Sequence, residues 1–182
     1  MRINQAEDVA TASDIINWAS RDRLENMLRT LGDEQHARII VEAIISHRKN
    51  AIISSSRQLS NLISSVLWKL PAVRAKNTHP ATRTFQALRM EVNDELTHIA
   101  NVLRAAFALL RTGGLLATVC FHAIEDKLVK SFMNQMVDSN MGAFTEEKCI
   151  CPSLSEVADN PSSRSAKLRM LVKKTSTTTC SE

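Results

Sequence analysis

The chain has 182 residues, of which 44% are hydrophobic and 23% charged, and its formal net charge is +4. This is an ordinary globular composition, and the low numbers of glycine and proline, 4 each, argue against sandwiches and barrels and favour helices. No two glycines have the spacing of a dinucleotide fingerprint or a P-loop, so we expect neither of these phosphate sites. No apolar run is long enough to cross a membrane, so we expect no transmembrane span.

Cysteine usage and the first residues favour an intracellular protein. The first eight residues contain two acids, Glu7 and Asp8, and no apolar core, which is not the pattern of a secretory or transit peptide. The four cysteines form no disulfide framework, so reduced thiols are predicted. A zinc site would need two further ligands beside Cys149 and Cys151, and none is well placed, so we expect no metal site.

The basic residues are concentrated in two stretches. Residues 43–90 contain no acid, and the stretch from residue 160 onward is basic as well. Segregated basic stretches are typical of a polyanion partner, although a solvated basic face has the same appearance. Because aromatic residues are only 4% of the chain, we expect contacts to phosphate rather than base stacking. The basic residues of 43–90 are Arg48, Lys49, Arg57, Lys69, Arg74, Lys76, Arg83 and Arg89.

Four short helices are predicted in the first 71 residues, from apolar spacings of three and four and from serine and acidic residues at their starts. Their predicted bounds are 14–18 with Ser13 as cap, Ser20 to Arg29 with Gly32 as the stop, Asp33 to about Arg48, and from after Ser56 to Pro71.

A long helical pattern follows a basic connector predicted for residues 71–79. Pro80 suits a helix start, with Thr78 as the cap, and apolar residues then recur at helical spacing to residue 110. About thirty residues is long for one globular helix, so a break and a lobe boundary are expected near Asn93 and Asp94. Gly113 and Gly114 end the pattern.

The period then changes to that of a strand. Residues 115–122 form a continuous apolar run, which predicts a strand of a parallel sheet, buried on both faces. A helix is predicted from Glu125 to about Met136, a loop over 138–163 and a second strand over 166–173. The sequence before residue 115 offers no parallel neighbour for the first strand, so either part of the fold is missing or the strand finds its neighbours elsewhere.

The predicted strand end carries three candidate catalytic residues. His122 stands at the carboxyl end of the strand, where open α/β sheets bind ligands, and Glu125 and Asp126 begin the next helix. Such a group can position or deprotonate a substrate. Alternatively, the two acids only complement the helix dipole.

Candidate RNA-binding residues occur in two places, the start of the long helix and the basic stretch before the last strand. Guanidinium groups there are suited to phosphate. The alternatives are a solvated helix face or tail, or ion pairs of Arg83 and Arg89 with Asp94 or Glu95. The candidates are His79, Arg83, Arg89, Asn93, Arg164, Lys167 and Arg169.

Three motifs carry a family resemblance. HPATRTFQALR at 79–89, followed by VNDEL at 92–96, resembles the signature of the RsmH/MraW family. FHAIEDKLVK at 121–130 and NPSSRSAKLR at 160–169 resemble two later motifs of that family. The motifs occur in the family's order and span most of the chain.

The resemblance implies S-adenosylmethionine-dependent methylation of a cytidine N4 in small-subunit ribosomal RNA. It implies an α/β, Rossmann-like methyltransferase fold with a helical insertion, of which this chain is the mostly α part with one or two strands. Residues 9–90 would be the RNA-recognising insertion, and residues 91–182 the last part of the catalytic domain. The family's early strands and Gly-Gly-His cofactor loop would precede residue 1, so we expect no cofactor-binding residue here and no cofactor binding by this chain.

Two functions remain open. One is a ribosomal RNA methyltransferase of which this chain is a part, and the other is a non-catalytic RNA-binding or ribosome-assembly protein that lacks the cofactor half. Ala123 departs from the family's serine, and such divergence is compatible with an organellar homologue. The location would be the mitochondrial matrix in a eukaryote and the cytoplasm in a bacterium.

Overall fold

The computed structural model describes residues 10–74 and 78–175, so Lys76 and Cys180 lie outside it. The chain divides into two compact units, Met1–Glu95 and Leu96–Glu182. Each unit has its own hydrophobic cluster.

The first unit is helical. Its core is built from the apolar stripes of the helices, with Leu28, Ile40 and Leu88 completely buried. The helices are α1 (Ala12–Trp18), α2 (Arg21–Gly32), α3 (Ala37–Arg48), α4 (Ser56–Leu67), α5 (Pro71–Arg74) and α6 (Thr82–Val92).

Short polar side chains set the starts of three helices. Ser20 and Ser55 accept hydrogen bonds from the backbone N–H of Arg23 and Gln58, both at 3.2 Å. This confirms the predicted start of α2, whereas α4 begins at Ser56, one residue earlier than predicted. The cap predicted for α1 was wrong. Thr11 rather than Ser13 begins this helix, because Thr11 and Asp14 each accept a hydrogen bond from the other's backbone N–H.

The link between α2 and α3 is longer than predicted. Helix α3 begins at Ala37 instead of Asp33, since Asp33 adopts a left-handed conformation with φ of 46° and caps α2. Gly32 is the last residue of α2 and is needed for close approach, because a Cβ there would lie 2.9 Å from the backbone oxygen of Arg83 in α6.

The connector to α6 also differs from the prediction. Residues 71–74 form the short helix α5, although a structureless segment was expected. Helix α6 begins at Thr82, and Thr78 is not its cap. Instead the Nδ1 atom of His79 accepts a hydrogen bond of 3.2 Å from the N–H of Ala81, the residue before the helix.

The second unit combines helices with a small sheet. The break predicted in the long helix is confirmed, because α6 ends at Val92 and Asp94 has a φ of 45°. The elements that follow are α7 (Glu95–Leu109), β1 (Leu115–Cys120), α8 (Ala123–Asp138), β2 (Gly142–Phe144), α9 (Leu154–Asp159), a 3₁₀ turn (Pro161–Ser165) and β3 (Lys167–Lys173).

The sheet has the order β1–β3–β2, and both pairings are antiparallel. The predicted strands are present, but residues 10–74 and 78–175 contain three strands rather than one or two. The prediction of a loop over 138–163 was also wrong, because this segment contains β2, α9 and the 3₁₀ turn. Periodicity did not reveal β2, since three residues are too few to show a period.

Strand β1 has one packed face and one open face. Leu116 and Cys120 are buried in the core of the unit with Met133 of α8, whereas Val119 is 58% exposed and Phe121, just after the strand, is 50% exposed. The predicted burial on both faces was therefore wrong within the described residues. One edge of β1 pairs with β3, and no described strand pairs with the other edge.

A buried amide fixes the segment between α3 and α4. The side chain of Asn17 is buried, donates to the oxygen of Ile53 at 3.0 Å and accepts from the nitrogen of Ile53 at 2.9 Å. Both backbone groups of Ile53 thus obtain partners from one side chain, which holds this segment against α1.

Replacing Asn17 with alanine should lower the free energy of unfolding of the first unit by about 2–3 kcal/mol, because two buried backbone groups lose their partner. Urea unfolding followed by tryptophan fluorescence measures this unit, since Trp18 and Trp68 both belong to it. The exposed Asn61→Ala is the control and should leave the midpoint almost unchanged. An Asn17→Ala midpoint equal to that of the control would contradict the interpretation.

Candidate functional site

The predicted catalytic and C-terminal RNA-binding residues meet at a buried ion pair. Arg169 on β3 donates from Nε and Nη2 to the two carboxylate oxygens of Asp126 at 2.6 and 3.2 Å. Lys167 donates from Nζ to the same carboxylate at 2.9 Å. The exposed fractions of Asp126 and Arg169 are only 7% and 8%. Arg169 also donates to the backbone oxygen of Lys148 at 3.1 Å.

This environment keeps Asp126 ionised. The hydrogen bond from Arg169 lowers the pKa of Asp126 most, and the hydrogen bond from Lys167 lowers it further against the opposing effect of burial. The same contacts raise the pKa of Arg169 and of Lys167. A carboxylate held by two cations is a poor general base, so the geometry favours a structural role for Asp126 at the start of α8.

Glu125 and His122 lie where the sequence placed them, at the carboxyl end of β1. The Oε2 atom of Glu125 accepts from the N–H groups of Phe121 and His122, both at 3.3 Å, and His122 is the half-buried residue that precedes α8. Glu125 therefore caps the helix, which the dipole alternative predicted. Cys120 is buried here, and burial raises the pKa of its thiol, so it is a poor nucleophile.

An open apolar groove of about 550 Å³ lies beside this end of β1. It is lined by one face of α7 and by the exposed face of β1. Glu125 is at its edge. Its lining also includes His98, Ile99, Val102, Leu103, Thr118, Val119, Cys120, Phe121 and Val129.

The two predicted arginines of α6 both have intramolecular partners. Arg89 donates to both carboxylate oxygens of Glu95, at 2.8 and 3.0 Å, across the break after α6. Arg83 donates to the backbone oxygen of Asp33 and lies 3.6 Å from its carboxylate. Asn93 donates to the oxygen of Arg89 at 2.7 Å. The ion-pair alternative is thus correct for Arg89 with Glu95, while Arg83 pairs with Asp33 instead.

Among the described cations of the acid-free stretch 43–90, three have no intramolecular partner, whereas the exposed Lys49 interacts electrostatically with Glu42. Arg57, Lys69 and Arg74 are exposed and form no hydrogen bond or ion pair with another described residue. We name this set the free cations of the first unit. Sequence reasoning counted them in the basic stretch but did not single them out, because they lie outside the motifs.

The stretch before β3 contributes one exposed cation. Arg164 lies in the 3₁₀ turn and is exposed. The turn is stabilised by Asn160, whose side chain accepts from the N–H of Ser162 at 3.2 Å. Lys167 and Arg169 are engaged with Asp126, so the predicted phosphate cluster is reduced to Arg164 at this position.

The described residues contain no group of metal ligands and no glycine-built cradle for a cofactor. Within 10–74 and 78–175, no three His, Cys, Asp or Glu side chains are grouped to hold an ion. The space beside Gly32, Gly114 and Gly142 is occupied by the chain's own atoms, and Gly113 lies in the turn before β1, so none of these glycines cradles a cofactor.

No helix in the described part of the chain combines the length and hydropathy needed to cross a membrane.

Comparison with known proteins supplies the context for this geometry. The sequence model of the MraW methylase family matches residues 1–174. The chain is 41% identical over 173 residues to the ribosomal RNA small subunit methyltransferase H of Leptospira interrogans, covering 95% of this chain and 51% of that protein. The protein of the same name from Sulfurihydrogenibium is 36% identical over 170 residues, with 93% and 57% covered. The chain therefore spans about half the length of these curated relatives.

The ion pair predicts a pH-dependent stability of the second unit. Replacing Asp126 with asparagine should destabilise this unit by about 3 kcal/mol at pH 7, because Arg169 is then buried without a counter-ion. Folding lowers the pKa of Asp126. The ion pair of the wild type therefore contributes fully to the free energy of unfolding above the unfolded-state pKa of about 3.9. This contribution is lost as the pH falls through the folded-state pKa. The difference between the two proteins should thus shrink below pH 4.

Urea unfolding followed by far-ultraviolet circular dichroism measures this effect, since neither tryptophan belongs to the second unit. The matched control is Asp138→Asn, which removes an exposed carboxylate at the other end of α8 and should be neutral or slightly stabilising. A difference between wild type and Asp126→Asn that stays constant from pH 7 to pH 3 would contradict the prediction.

Proposed function

The chain belongs to the MraW methylase family, and on that premise we propose that it works in the S-adenosylmethionine-dependent N4-methylation of a cytidine in small-subunit ribosomal RNA. In this proposal the first unit recognises the RNA and the second unit is the closing part of a Rossmann-like methyltransferase domain. The observation that carries the proposal is the acid-free stretch 43–90, which lies on the helices of the first unit and leaves three cations free.

RNA binding by the first unit follows from its charge. A phosphate that contacts an exposed cation releases condensed counterions, and this release drives association. Arg57, Lys69 and Arg74 are available for such contacts without loss of an existing ion pair. The side chains of Arg83 and Arg89 are 40% and 44% exposed, so they add to the positive field but would have to leave Asp33 and Glu95 to bind phosphate directly.

In the second unit, the carboxyl end of β1 is the candidate position for a ligand. The family has a Rossmann-like fold, and in open sheets of this kind ligands bind at the carboxyl ends of the strands. Strand β1 ends at Cys120, two residues before His122, and its exposed apolar face and the edge away from β3 are suited to a further layer and a further strand. We assign His122 and Glu125 to the side of the site where the cytidine is positioned.

The chemistry of the methyl group is not assigned to these residues. The described glycines form no cofactor cradle, so no step through S-adenosylmethionine is derived from this chain. Its proposed contribution is binding and orientation of the RNA. The methyl donor would be held by residues that correspond to the part of the relatives that this chain does not match.

A hybrid protein tests this function. In it, this chain replaces the matching half of the Leptospira interrogans relative, and small-subunit ribosomal RNA is the substrate. Mass spectrometry of the nucleosides should detect N4-methylcytidine, and His122→Ala in the hybrid should lower its yield by at least about tenfold if the imidazole positions the substrate. The 182-residue chain alone should give no methylation and no heat of S-adenosylmethionine binding. A folded hybrid that binds the RNA without methylating it would contradict the proposal and favour a binding protein.

The free cations should determine the salt dependence of RNA binding. Replacing Arg57, Lys69 and Arg74 together with glutamine should reduce the slope of log affinity against log salt by about two, at roughly 0.7 per contact to single-stranded RNA. The control is the double variant Arg83→Gln with Arg89→Gln, which should change the slope less but lower the melting temperature, because two ion pairs are lost. A larger slope change in the double variant, with an unchanged melting temperature, would assign the phosphate contacts to α6.

A further inference from the structure

A small pocket lies in the first unit. It has a volume of about 90 Å³ and is formed where the link after α2 meets the segment before α6. Its walls combine one buried carboxylate with aromatic and basic groups. The lining residues used below are Glu34, His36, His79 and Arg83.

Glu34 is an unusual residue for this position because its side chain is buried without a cation. Its exposed fraction is 5%, and its Oε1 atom accepts from the N–H of His36 at 2.8 Å. No Lys, Arg or His nitrogen among the described residues forms an ion pair with it, since Arg83 is directed to Asp33. A buried carboxylate with one neutral partner has strong unused acceptor capacity, and Glu34 presents it to the pocket.

His79, which lines the pocket, forms an aromatic pair with Trp68. Trp68 follows α4, and its ring lies 6.1 Å from the ring of His79, with an angle of 62° between the two planes. Trp68 is 53% exposed, and the imidazole of His79 is held by the N–H of Ala81. Sequence composition predicted little stacking, but the structure brings Trp68 into contact with His79, and His79 lines the pocket. An exposed indole of this kind offers a face to an unstacked base.

The combination defines the ligand. A flat ring on Trp68 whose edge carries N–H donors would satisfy Glu34, and guanine presents two adjacent donors, N1–H and the 2-amino group. Adenine and cytosine place a ring acceptor beside their amino group, and a carboxylate repels that acceptor. We propose that the pocket of Glu34 and His79, together with the Trp68 ring that contacts His79, binds an unpaired guanine of RNA. This inference rests on the proposed function, because it takes RNA as the partner of the first unit.

The surrounding charge favours RNA over a free nucleotide. Lys69 follows Trp68 directly, and Arg74 ends α5, which precedes the segment that contributes His79. Both are free cations, so phosphates on either side of the bound guanine would meet positive charge. A single nucleotide can use few of these contacts, whereas an oligonucleotide can use all of them.

Tryptophan fluorescence tests the proposal on the 182-residue chain. Trp18→Phe leaves Trp68 as the sole tryptophan, and stacking on it should quench its emission. The titrants are oligouridine octamers with guanosine, inosine, adenosine or uridine at one central position. Guanosine should bind about tenfold more tightly than inosine, which lacks the 2-amino group, because one good bidentate contact is worth at least that factor. Guanosine monophosphate should bind far more weakly than the guanosine octamer.

Glu34→Gln is the decisive variant. Glutamine keeps the shape and the acceptor for His36 but replaces one carboxylate oxygen with a donor, so the preference for guanosine over inosine should disappear while binding of the all-uridine octamer stays unchanged. Trp68→Leu should weaken all octamers alike, by roughly tenfold. Circular dichroism checks that both variants fold. If Glu34→Gln does not fold, the comparison of the guanosine and inosine octamers on Trp18→Phe tests the proposal.

The outcomes separate this inference from the proposed function. Equal affinity for the four octamers would overturn the guanine pocket while RNA binding itself stands. Absence of binding to every octamer would overturn both. Affinity for guanosine monophosphate equal to that for the guanosine octamer would also overturn the proposal, because the site would then recognise a free nucleotide.

Discussion

The second unit depends on the buried ion pair between Asp126 and Arg169. Arg169 belongs to β3, the central strand, and Asp126 belongs to the first turn of α8, so the pair joins the sheet to the helix that covers it. The same guanidinium binds the backbone oxygen of Lys148, two residues before Ile150, which pairs with Leu168. Neither residue of this pair can be replaced without a large loss of stability, because removal of one partner leaves the other buried without a counter-charge. The position of His122 at the end of β1 follows from this arrangement.

In the first unit, intramolecular pairing decides which charges are available to a partner. The acid-free stretch has no internal counter-charge of its own, but Asp33 and Glu95, on either side of it, bind Arg83 and Arg89. Arg57, Lys69 and Arg74 remain as the exposed positive surface. Glu34 shows the opposite case, because it is an acid enclosed without a cation. The surface and the pocket thus offer complementary contacts to phosphates and to a donor-bearing base.

The candidate site could be predicted in part from the sequence. The position of His122, Glu125 and Asp126 at the junction of a strand and a helix was correct, because a change of period and the acids of a first turn are local signals. Their partners were not predictable in the same way. Asp126 meets Lys167 and Arg169 from more than forty residues away, and only the antiparallel registration of β3 on β1 brings these side chains together.

Sequence patterns alone were enough to predict the helical character of the first unit, the break at Asn93 and Asp94, the strand after Gly114 and the family. These features depend on short-range spacing, on caps and on motifs of consecutive residues. Three features became visible only in the folded chain: the antiparallel pairing of β1, its open face, and the contact of Trp68 with His79, which lines the pocket of Glu34. Strand pairing and side-chain contacts join residues distant in the chain, and local propensity carries no information about which distant residue becomes the neighbour.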